Sequence, residues 1–349
     1  MHHCGMQFAK RVLARVNMPY PLGLVTVGGE TCVVASTEDR GPVVLASPPF
    51  ARAEEILPGP GGSMALVEDP EKPGELYAIM GCFLGYRFQT GSIHRLRGEA
   101  VGREGGWVSS KILDLPFAHR IGFVDRAGTR SLLAASLAAD KSDPADWSRP
   151  GSVYACPVPR HDGERWQLVP ILEGIHRNHG FLVTRFMGKR SVLVAGAEGM
   201  FMTDLDQPGD SWVFTRVLRE EISEIAVFDI DGDGQDELIT IEPFHGNRLS
   251  VYAPASGRWS KAWEGELDFG HCLLAGNLDG APAILVSNRA GGRDLLLFRF
   301  PRGLSQPTRV VVDPGAGAAN MLILSRAGRD LIFSTNQSAG EIAVYQAAP

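Results

Sequence analysis

The chain has 349 residues, of which 44% are hydrophobic and 21% are charged, and its formal net charge is −6. No stretch reaches the ~20 consecutive apolar residues that a membrane-spanning helix needs. The charges are mixed along the chain, without the basic face that is typical of nucleic-acid-binding proteins. We therefore expect neither a membrane protein nor a partner of nucleic acids.

The first residues and the cysteines indicate the cellular compartment of the protein. The start of the chain lacks the uninterrupted apolar stretch of roughly 7–15 residues that a secretory signal carries. Five cysteines, without the CxxC spacing of redox or metal motifs, are scattered over the sequence. We expect reduced thiols and a cytoplasmic protein.

A short strand-like run recurs seven times along the chain, with starts that are 46 to 60 residues apart. The longest interval contains an extra polar segment, residues 140–151, which is interpreted as a loop insertion. Each run lies within a unit of four short apolar or alternating segments separated by Gly, Asp and Pro turn signals. The seven runs are Val43–Ser47, Ser92–Leu96, Ser152–Cys156, Met200–Asp204, Leu249–Ala253, Leu295–Phe300 and Ile342–Gln346.

Four strands per 45–50 residues are typical of a β-propeller blade. The last unit, within residues 318–347, supplies only three strands, and an unpaired strand at residues 7–16 precedes the first complete unit. We predict an all-β, seven-bladed propeller that forms a single domain over residues 1–349. The N-terminal strand completes the last blade, which removes the exposed sheet edges of an open array.

Histidines recur at one position of the repeat. Alignment of the blades by their first strand places His119, His179 and His271 in register, with Glu224 and Asn320 in two further blades. Innermost strands line the channel of a propeller, so these side chains are predicted to converge at one channel mouth. Three imidazoles with one oxygen ligand suit Zn²⁺, Fe²⁺, Mn²⁺ or Ni²⁺. We predict a channel metal site formed by His119, His179, His271 and Glu224.

Polar residues that follow the second strand of several blades are predicted to surround the same mouth. Together with the His176–Arg177 pair, they indicate a pocket for a hydroxylated small molecule or an oligosaccharide. The candidate acid–base groups are His176, His245 and Tyr86. The candidate substrate-binding residues are Arg87, Arg177, Asn247, Arg289 and Asn336.

An acidic loop lies between the first two strands of the fifth blade, on the opposite face. Alternating carboxylates and two glycines favour a tight turn around Ca²⁺. The predicted ligands are Asp229, Asp231, Asp233, Gln235 and Glu237. The equivalent loop of the sixth blade, residues 277–282, keeps only a remnant and is predicted not to bind metal. Over about twelve residues the acidic loop resembles the calcium loop of the FG-GAP or VCBS repeat, a propeller blade motif.

A seven-bladed propeller of FG-GAP-like repeats with histidines at the channel mouth resembles the propeller part of the aldos-2-ulose dehydratases, which include anhydrofructose dehydratases. The resemblance rests on the blade pattern and on His119, His179 and His271. It implies a metal-dependent lyase that removes water from a keto-sugar by β-elimination, with the metal as a Lewis acid.

Two other classes of function stay open at this stage. One is a propeller without catalysis whose channel face binds a glycan or a protein, because propellers host many unrelated functions. The other is a hydrolase of lactones or phosphoesters that uses a metal-bound hydroxide. The sequence lacks a GxSxG motif and a phosphate-binding glycine loop, so covalent serine catalysis and nucleotide chemistry are not favoured.

Overall fold

The computed structural model of the protein describes residues 6–83, 89–98, 106–161 and 163–348. Within these residues it contains seven four-stranded antiparallel sheets arranged as the blades of a β-propeller, and no helix other than a short 3₁₀ turn. The predicted fold class is therefore confirmed. The seven recurring sequence runs all coincide with the third strand of a blade.

The first three blades take up the first half of the chain. Blade 1 contains β2 (Pro19–Val27), β3 (Glu30–Thr37), β4 (Val43–Ala46) and β5 (Glu54–Leu57). Blade 2 contains β6 (Ala65–Glu68), β7 (Glu75–Met80), β8 (Ser92–Gly98) and β9 (Trp107–Asp114). Blade 3 contains β10 (Ala118–Arg126), β11 (Thr129–Ser136), β12 (Gly151–Pro157) and β13 (Val169–Ile175).

The next three blades follow the same order. Blade 4 contains β14 (Gly180–Phe186), β15 (Lys189–Gly196), β16 (Gly199–Asp204) and β17 (Thr215–Leu218). Blade 5 contains β18 (Glu224–Phe228), β19 (Glu237–Glu242), β20 (Arg248–Ala255) and β21 (Arg258–Glu266). Blade 6 contains β22 (Gly270–Leu278), β23 (Ala281–Asn288), β24 (Leu295–Arg299) and β25 (Thr308–Asp313).

Blade 7 closes the ring with strands from both ends of the chain. It contains β26 (Ala318–Arg326), β27 (Arg329–Asn336), β28 (Glu341–Ala347) and, as its outer strand, β1 (Phe8–Arg15). The β1 strand pairs antiparallel with β28, and Lys10 forms ion pairs with Asp313 and Glu341 at 2.8 and 2.6 Å. The predicted completion of the last blade by the N-terminal strand is confirmed.

Burial explains the sequence pattern of each blade. The second strand is covered on both faces by neighbouring blades, so it is a continuous apolar run rather than an alternating one. Val192, Leu193, Val194 and Ala195 of β15, for example, are all fully buried. The buried apolar side chains form seven clusters, one at each interface between adjacent blades.

The inner strands approach one another closely around the channel. A Cβ atom on Gly23 of β2 would lie 2.8 Å from the Leu66 carbonyl oxygen of β6, and one on Gly122 of β10 would lie 3.1 Å from the Phe181 ring. Glycine at these two positions lets the first strands of blades 1 to 4 pack near the axis.

Candidate metal centre

Bulges at the start of two inner strands direct histidine side chains toward the channel. In β10 the pairing register skips from Ala118 to Arg120, so His119 is the extra residue of a bulge. In β22 the register skips from Gly270 to Cys272, so His271 occupies the same place. Bulges commonly redirect a side chain next to a functional site. His179 directly precedes β14, and its N–H donates to the carbonyl oxygen of Ala195.

The structure corrects the alignment of two other blades by one residue. The N–H of Ser223 bonds to Ile241 of the next strand as that of His179 bonds to Ala195, and the extra residue in β26 is Ala319. Ser223 and Ala319 therefore occupy the histidine position of blades 5 and 7. Glu224 and Asn320 lie one residue further along, at the position of Arg120 in blade 3.

Three histidines bring one ring nitrogen each within 4.8 Å of one another: His179, His245 and His271. The Nε2 atoms of His179 and His245 are 3.4 Å apart. Two imidazole nitrogens on a tetrahedral Zn²⁺ are about 3.3 Å apart, given Zn–N bonds of roughly 2.0–2.1 Å. The spacing thus fits two ligands of one metal ion. His245 comes from the β19–β20 loop, where it has a positive φ of 47°.

Backbone carbonyls fix the orientation of two of these rings. The Nδ1 atom of His179 lies 3.0 Å from the Ser223 carbonyl oxygen, and that of His271 lies 3.2 Å from the Ala319 carbonyl oxygen. A carbonyl only accepts, so each Nδ1 carries the proton and each Nε2 keeps a lone pair. Each histidine is thus held by the equivalent residue of the following blade. Metal-binding histidines are typically oriented by such bonds.

His119, one of the predicted ligands, has a different partner. Its Nε2 atom lies 3.0 Å from the hydroxyl oxygen of Tyr20, whose distance to His271 Nε2 is 3.5 Å. Its buried Nδ1 atom has no hydrogen-bond partner in the part of the chain that the structure describes. The His119 and His179 rings are 4.3 Å apart, centroid to centroid. His119 therefore lies beside the three-histidine group, but outside it.

Glu224, the predicted oxygen ligand, orients His179 from behind. Its Oε1 atom lies 3.0 Å from His179 Nδ1, on the side of the ring away from Nε2, and it accepts a 2.5 Å bond from Arg120. Burial raises the pKa of the Glu224 carboxyl, but the Arg120 charge and the hydrogen bonds from His179 and Arg120 outweigh it, so the pKa lies below its usual value.

Burial keeps the imidazoles neutral. The pKa values of His119, His245 and His271 lie well below the usual value, first because burial disfavours the charged ring and then because of neighbouring positive charges. Arg120 contributes to this effect on all three rings. Neutral imidazoles are the form that binds a metal, so His245 and His271 need no proton release at neutral pH.

A cavity of about 200 Å³ opens onto these histidines. Its polar lining, besides the four histidines, consists of Tyr20, Glu38, Lys141 and Arg289. Its apolar lining consists of Met64, Phe117, Leu137, Pro144, Trp147 and Phe244. Trp147 and Pro144 come from the predicted insertion, which here folds over the channel mouth, and Trp147 contacts Phe244 at a ring-centroid distance of 5.0 Å. The cavity is smaller than the usual site for a drug-sized ligand.

Other predicted site residues lie around the cavity rather than in it. The Nδ1 atom of His176 lies 2.6 Å from a carboxylate oxygen of Glu198, and the Arg177 guanidinium lies 2.6 Å from a carboxylate oxygen of Glu221. Asn247 is exposed on the β19–β20 loop. Asn336 is buried inside blade 7, where its amide bonds to Tyr345 and Ser334. Of the predicted substrate-binding residues, only Arg289 lines the cavity. Tyr86 and Arg87 lie outside the described residues.

The acidic loop joins β18 to β19 on the opposite face, as predicted. Carboxylate oxygens of Asp229, Asp231 and Glu237 lie within 4.8 Å of one another. Asp229 accepts bonds from three backbone N–H groups, and Glu237 accepts one from Ile230. Burial, followed by the neighbouring aspartates, raises the pKa of Glu237 to about 7. Asp233 and Gln235, the other predicted ligands, bond to each other instead.

Sequence reasoning missed Tyr20, Glu38 and Trp147 as parts of the channel pocket. Tyr20 belongs to the bulged start of β2, where the register shift between Pro19 and Leu22 obscures the repeat position. Glu38 follows the second strand of blade 1, so the rule that selected Arg289 and Asn336 applies to it as well. Trp147 lies in an insertion without a counterpart in other blades.

Comparisons with known proteins identify the fold alone. No family model and no curated protein matches the chain. The solved structure of Sqt1 from Saccharomyces cerevisiae is similar over 100% of both chains, with a TM-score of 0.56 and 10% identity. BBS1N, solved in complex with ARL6DN, is similar over 100% of this chain and 98% of its own, with a TM-score of 0.58 and 12% identity. No helix in the described ranges could cross a membrane.

Proposed function

We propose that the channel mouth is the active site of a metal-dependent lyase that removes water from a small keto compound related to sugars. The observation that carries the proposal is the group of His179, His245 and His271, three imidazoles that line one pocket at the channel mouth. Three histidine ligands leave coordination positions open, as in catalytic rather than structural metal sites.

The residues fit a divalent transition metal. The Nε2 lone pairs of His179 and His271 are directed by their Nδ1 bonds to carbonyl groups, and the spacing of His179 and His245 suits one ion. When bound, such a metal polarises a substrate carbonyl and acidifies the adjacent C–H bond. Softer nitrogen ligands favour Zn²⁺, Mn²⁺, Fe²⁺ or Ni²⁺ over Ca²⁺ here.

The proton transfers fall to other residues of the pocket. Glu38 is 7% exposed, and burial raises the pKa of its carboxyl despite the opposing Arg289 charge. A carboxylate with a raised pKa is a stronger base, so Glu38 is suited to take the proton from the carbon next to the carbonyl. Burial raises the pKa of the Tyr20 hydroxyl, which is bonded to His119, but a phenol is still a stronger acid than water, so Tyr20 can protonate the departing β-hydroxyl. The sum of both transfers is the loss of one water molecule.

Turnover of 2-keto sugars by the metal-loaded protein tests this proposal. The protein is loaded in turn with zinc, manganese, iron(II) and nickel, and the ultraviolet absorbance of the unsaturated ketone product is followed. Activity in the wild type that is abolished in His245→Ala and reduced at least tenfold in Glu38→Gln supports the lyase. Full activity after metal removal contradicts it.

For the acidic loop we propose a structural Ca²⁺ ion held by Asp229, Asp231 and Glu237. All the ligands are oxygens, and the three carboxylates would repel one another without a cation. The loop lies on the face opposite the histidines, so this ion stabilises blade 5 and has no part in the lyase chemistry.

A propeller that binds a protein is the second candidate, because BBS1N is a propeller of similar fold solved in complex with ARL6DN. This alternative takes precedence if the purified protein binds no transition metal and turns over no keto compound.

If the protein is instead a hydrolase that uses a metal-bound hydroxide, the same metal-loaded protein should cleave lactones. Lactones therefore belong in the same screen.

A further inference from the structure

The pocket at the channel mouth contains two positive side chains that form no ion pair with a carboxylate among the described residues. Lys141 is only 8% exposed, and its ammonium group donates to the Pro144 carbonyl oxygen at 2.6 Å and lies 3.4 Å from the centroid of the Trp147 ring. Arg289 is half-buried and lines the same cavity. Neither forms an ion pair with any residue in the described ranges.

The acidic groups near these cations act on them through space, Asp143 and Asp146 on Lys141 and Glu38 on Arg289, but none of these described carboxylates forms an ion pair with either cation. Asp143 and Asp146 belong to the same insertion as Lys141, but they accept bonds from the N–H groups of Ala145 and of Ser142 and Ser148. Glu38, the one carboxylate among the described residues that line the cavity, accepts a hydrogen bond from the Gln337 amide.

Other cations at the same mouth are paired. Arg120 bonds to Glu224 at 2.5 Å and Arg177 bonds to Glu221 at 2.6 Å. Burying a cation is costly unless an opposite charge compensates for it. Since paired and unpaired cations occur side by side here, the lack of a partner for Lys141 and Arg289 indicates that the partner is a ligand.

We propose that the substrate is a small 2-oxo acid, such as a 2-oxo sugar acid, whose carboxylate binds Arg289 and Lys141. The inference rests on the proposed function, whose substrate class it narrows. The planar guanidinium of Arg289 offers paired N–H donors to the two carboxylate oxygens. The oxygen on the next carbon then faces the three histidines, and the 200 Å³ cavity restricts the ligand to a short chain.

Calorimetric titration with pyruvate and with its neutral analogue pyruvamide tests the inference. In zinc-loaded protein, pyruvate is expected to bind at least tenfold more tightly than pyruvamide. Arg289→Gln and Lys141→Met are each expected to weaken the affinity for pyruvate at least tenfold. Both should leave the affinity for pyruvamide and the zinc content unchanged. Arg302→Gln, at an exposed position in blade 6, removes the same charge and should change nothing.

The same titrations in EDTA-treated protein separate this inference from the metal proposal. A preference for pyruvate that persists without metal and depends on Arg289 supports the carboxylate site, even if no zinc binds. Equal binding of pyruvate and pyruvamide, absence of pyruvate binding, or an Arg289→Gln variant that binds pyruvate like the wild type would overturn it, whatever the zinc content.

Discussion

The Nε2 atoms of His179 and His245 lie 3.4 Å apart at the mouth of the propeller channel, although the two residues come from different blades. His179 starts the inner strand of blade 4, and His245 belongs to a loop of blade 5. Two imidazoles at this distance form at best a long hydrogen bond, but they match two ligands of one tetrahedral metal ion. The predictions below follow from this arrangement and from the fold that supports it.

The ion pair behind the metal centre should contribute strongly to stability. Arg120 and Glu224 are 14% and 12% exposed, and removal of one partner leaves a buried charge uncompensated. Arg120→Met should lower the free energy of unfolding by about 3–5 kcal/mol, whereas the double change with Glu224→Met should recover much of the loss. Urea titrations measure both. Arg52→Gln breaks an exposed pair with Glu54 and serves as the control, with an expected loss below about 1 kcal/mol.

The strand that closes the ring should be essential to the fold. Leu13 of β1 is 4% exposed and packs against residues of blades 7 and 1, including Phe50 and Phe333. Leu13→Ala should lower the free energy of unfolding by about 2–5 kcal/mol through the lost burial and the cavity left behind. Val169→Ala in β13, at a position that is 46% exposed, should cost much less. If Leu13→Ala lowers the free energy of unfolding no more than Val169→Ala does, β1 contributes little to closing the ring.

Calcium should stabilise the protein through the acidic loop. An excess of about 100 times the dissociation constant adds about 2.7 kcal/mol to the free energy of unfolding, provided that only the folded state binds. We expect millimolar Ca²⁺ to raise the thermal midpoint of the wild type and to leave that of Asp231→Asn unchanged. Asp279→Asn, in the remnant loop of blade 6, should respond like the wild type. A response that survives Asp231→Asn would place the ion elsewhere.

Glu38 should make stability depend on pH. Burial raises the pKa of its carboxyl, with a smaller contribution from Asp39 and opposing ones from Arg289 and Gln337. The folded state therefore holds this proton to a higher pH than the unfolded state does, and stability falls as the pH rises from about 4.5 through the folded-state pKa. The free energy of unfolding of the wild type, relative to that of Glu38→Gln, should therefore decrease between pH 4.5 and pH 7.

The repeat in the sequence predicts the ring of blades because four strands per unit and the missing last strand are visible as patterns of apolar residues. It also brings His119, His179 and His271 to one place. The role of each histidine at the channel mouth depends on single-residue bulges, which cannot be recognised in the sequence. The bulge in β10 directs His119 to Tyr20, and the β19–β20 loop of blade 5 supplies His245 instead. Trp147, in an insertion that no other blade shares, lies outside any repeat-based argument.

The most direct test of the metal centre is elemental analysis of the purified protein after zinc loading and dialysis. It should be done for the wild type and for His245→Ala, His119→Ala and His176→Ala, with circular dichroism to verify the fold. The assignment predicts one equivalent of zinc in the wild type, in His119→Ala and in His176→Ala, and almost none in His245→Ala. Zinc that is retained in folded His245→Ala, or that is absent from the wild type, would contradict a centre formed by His179, His245 and His271.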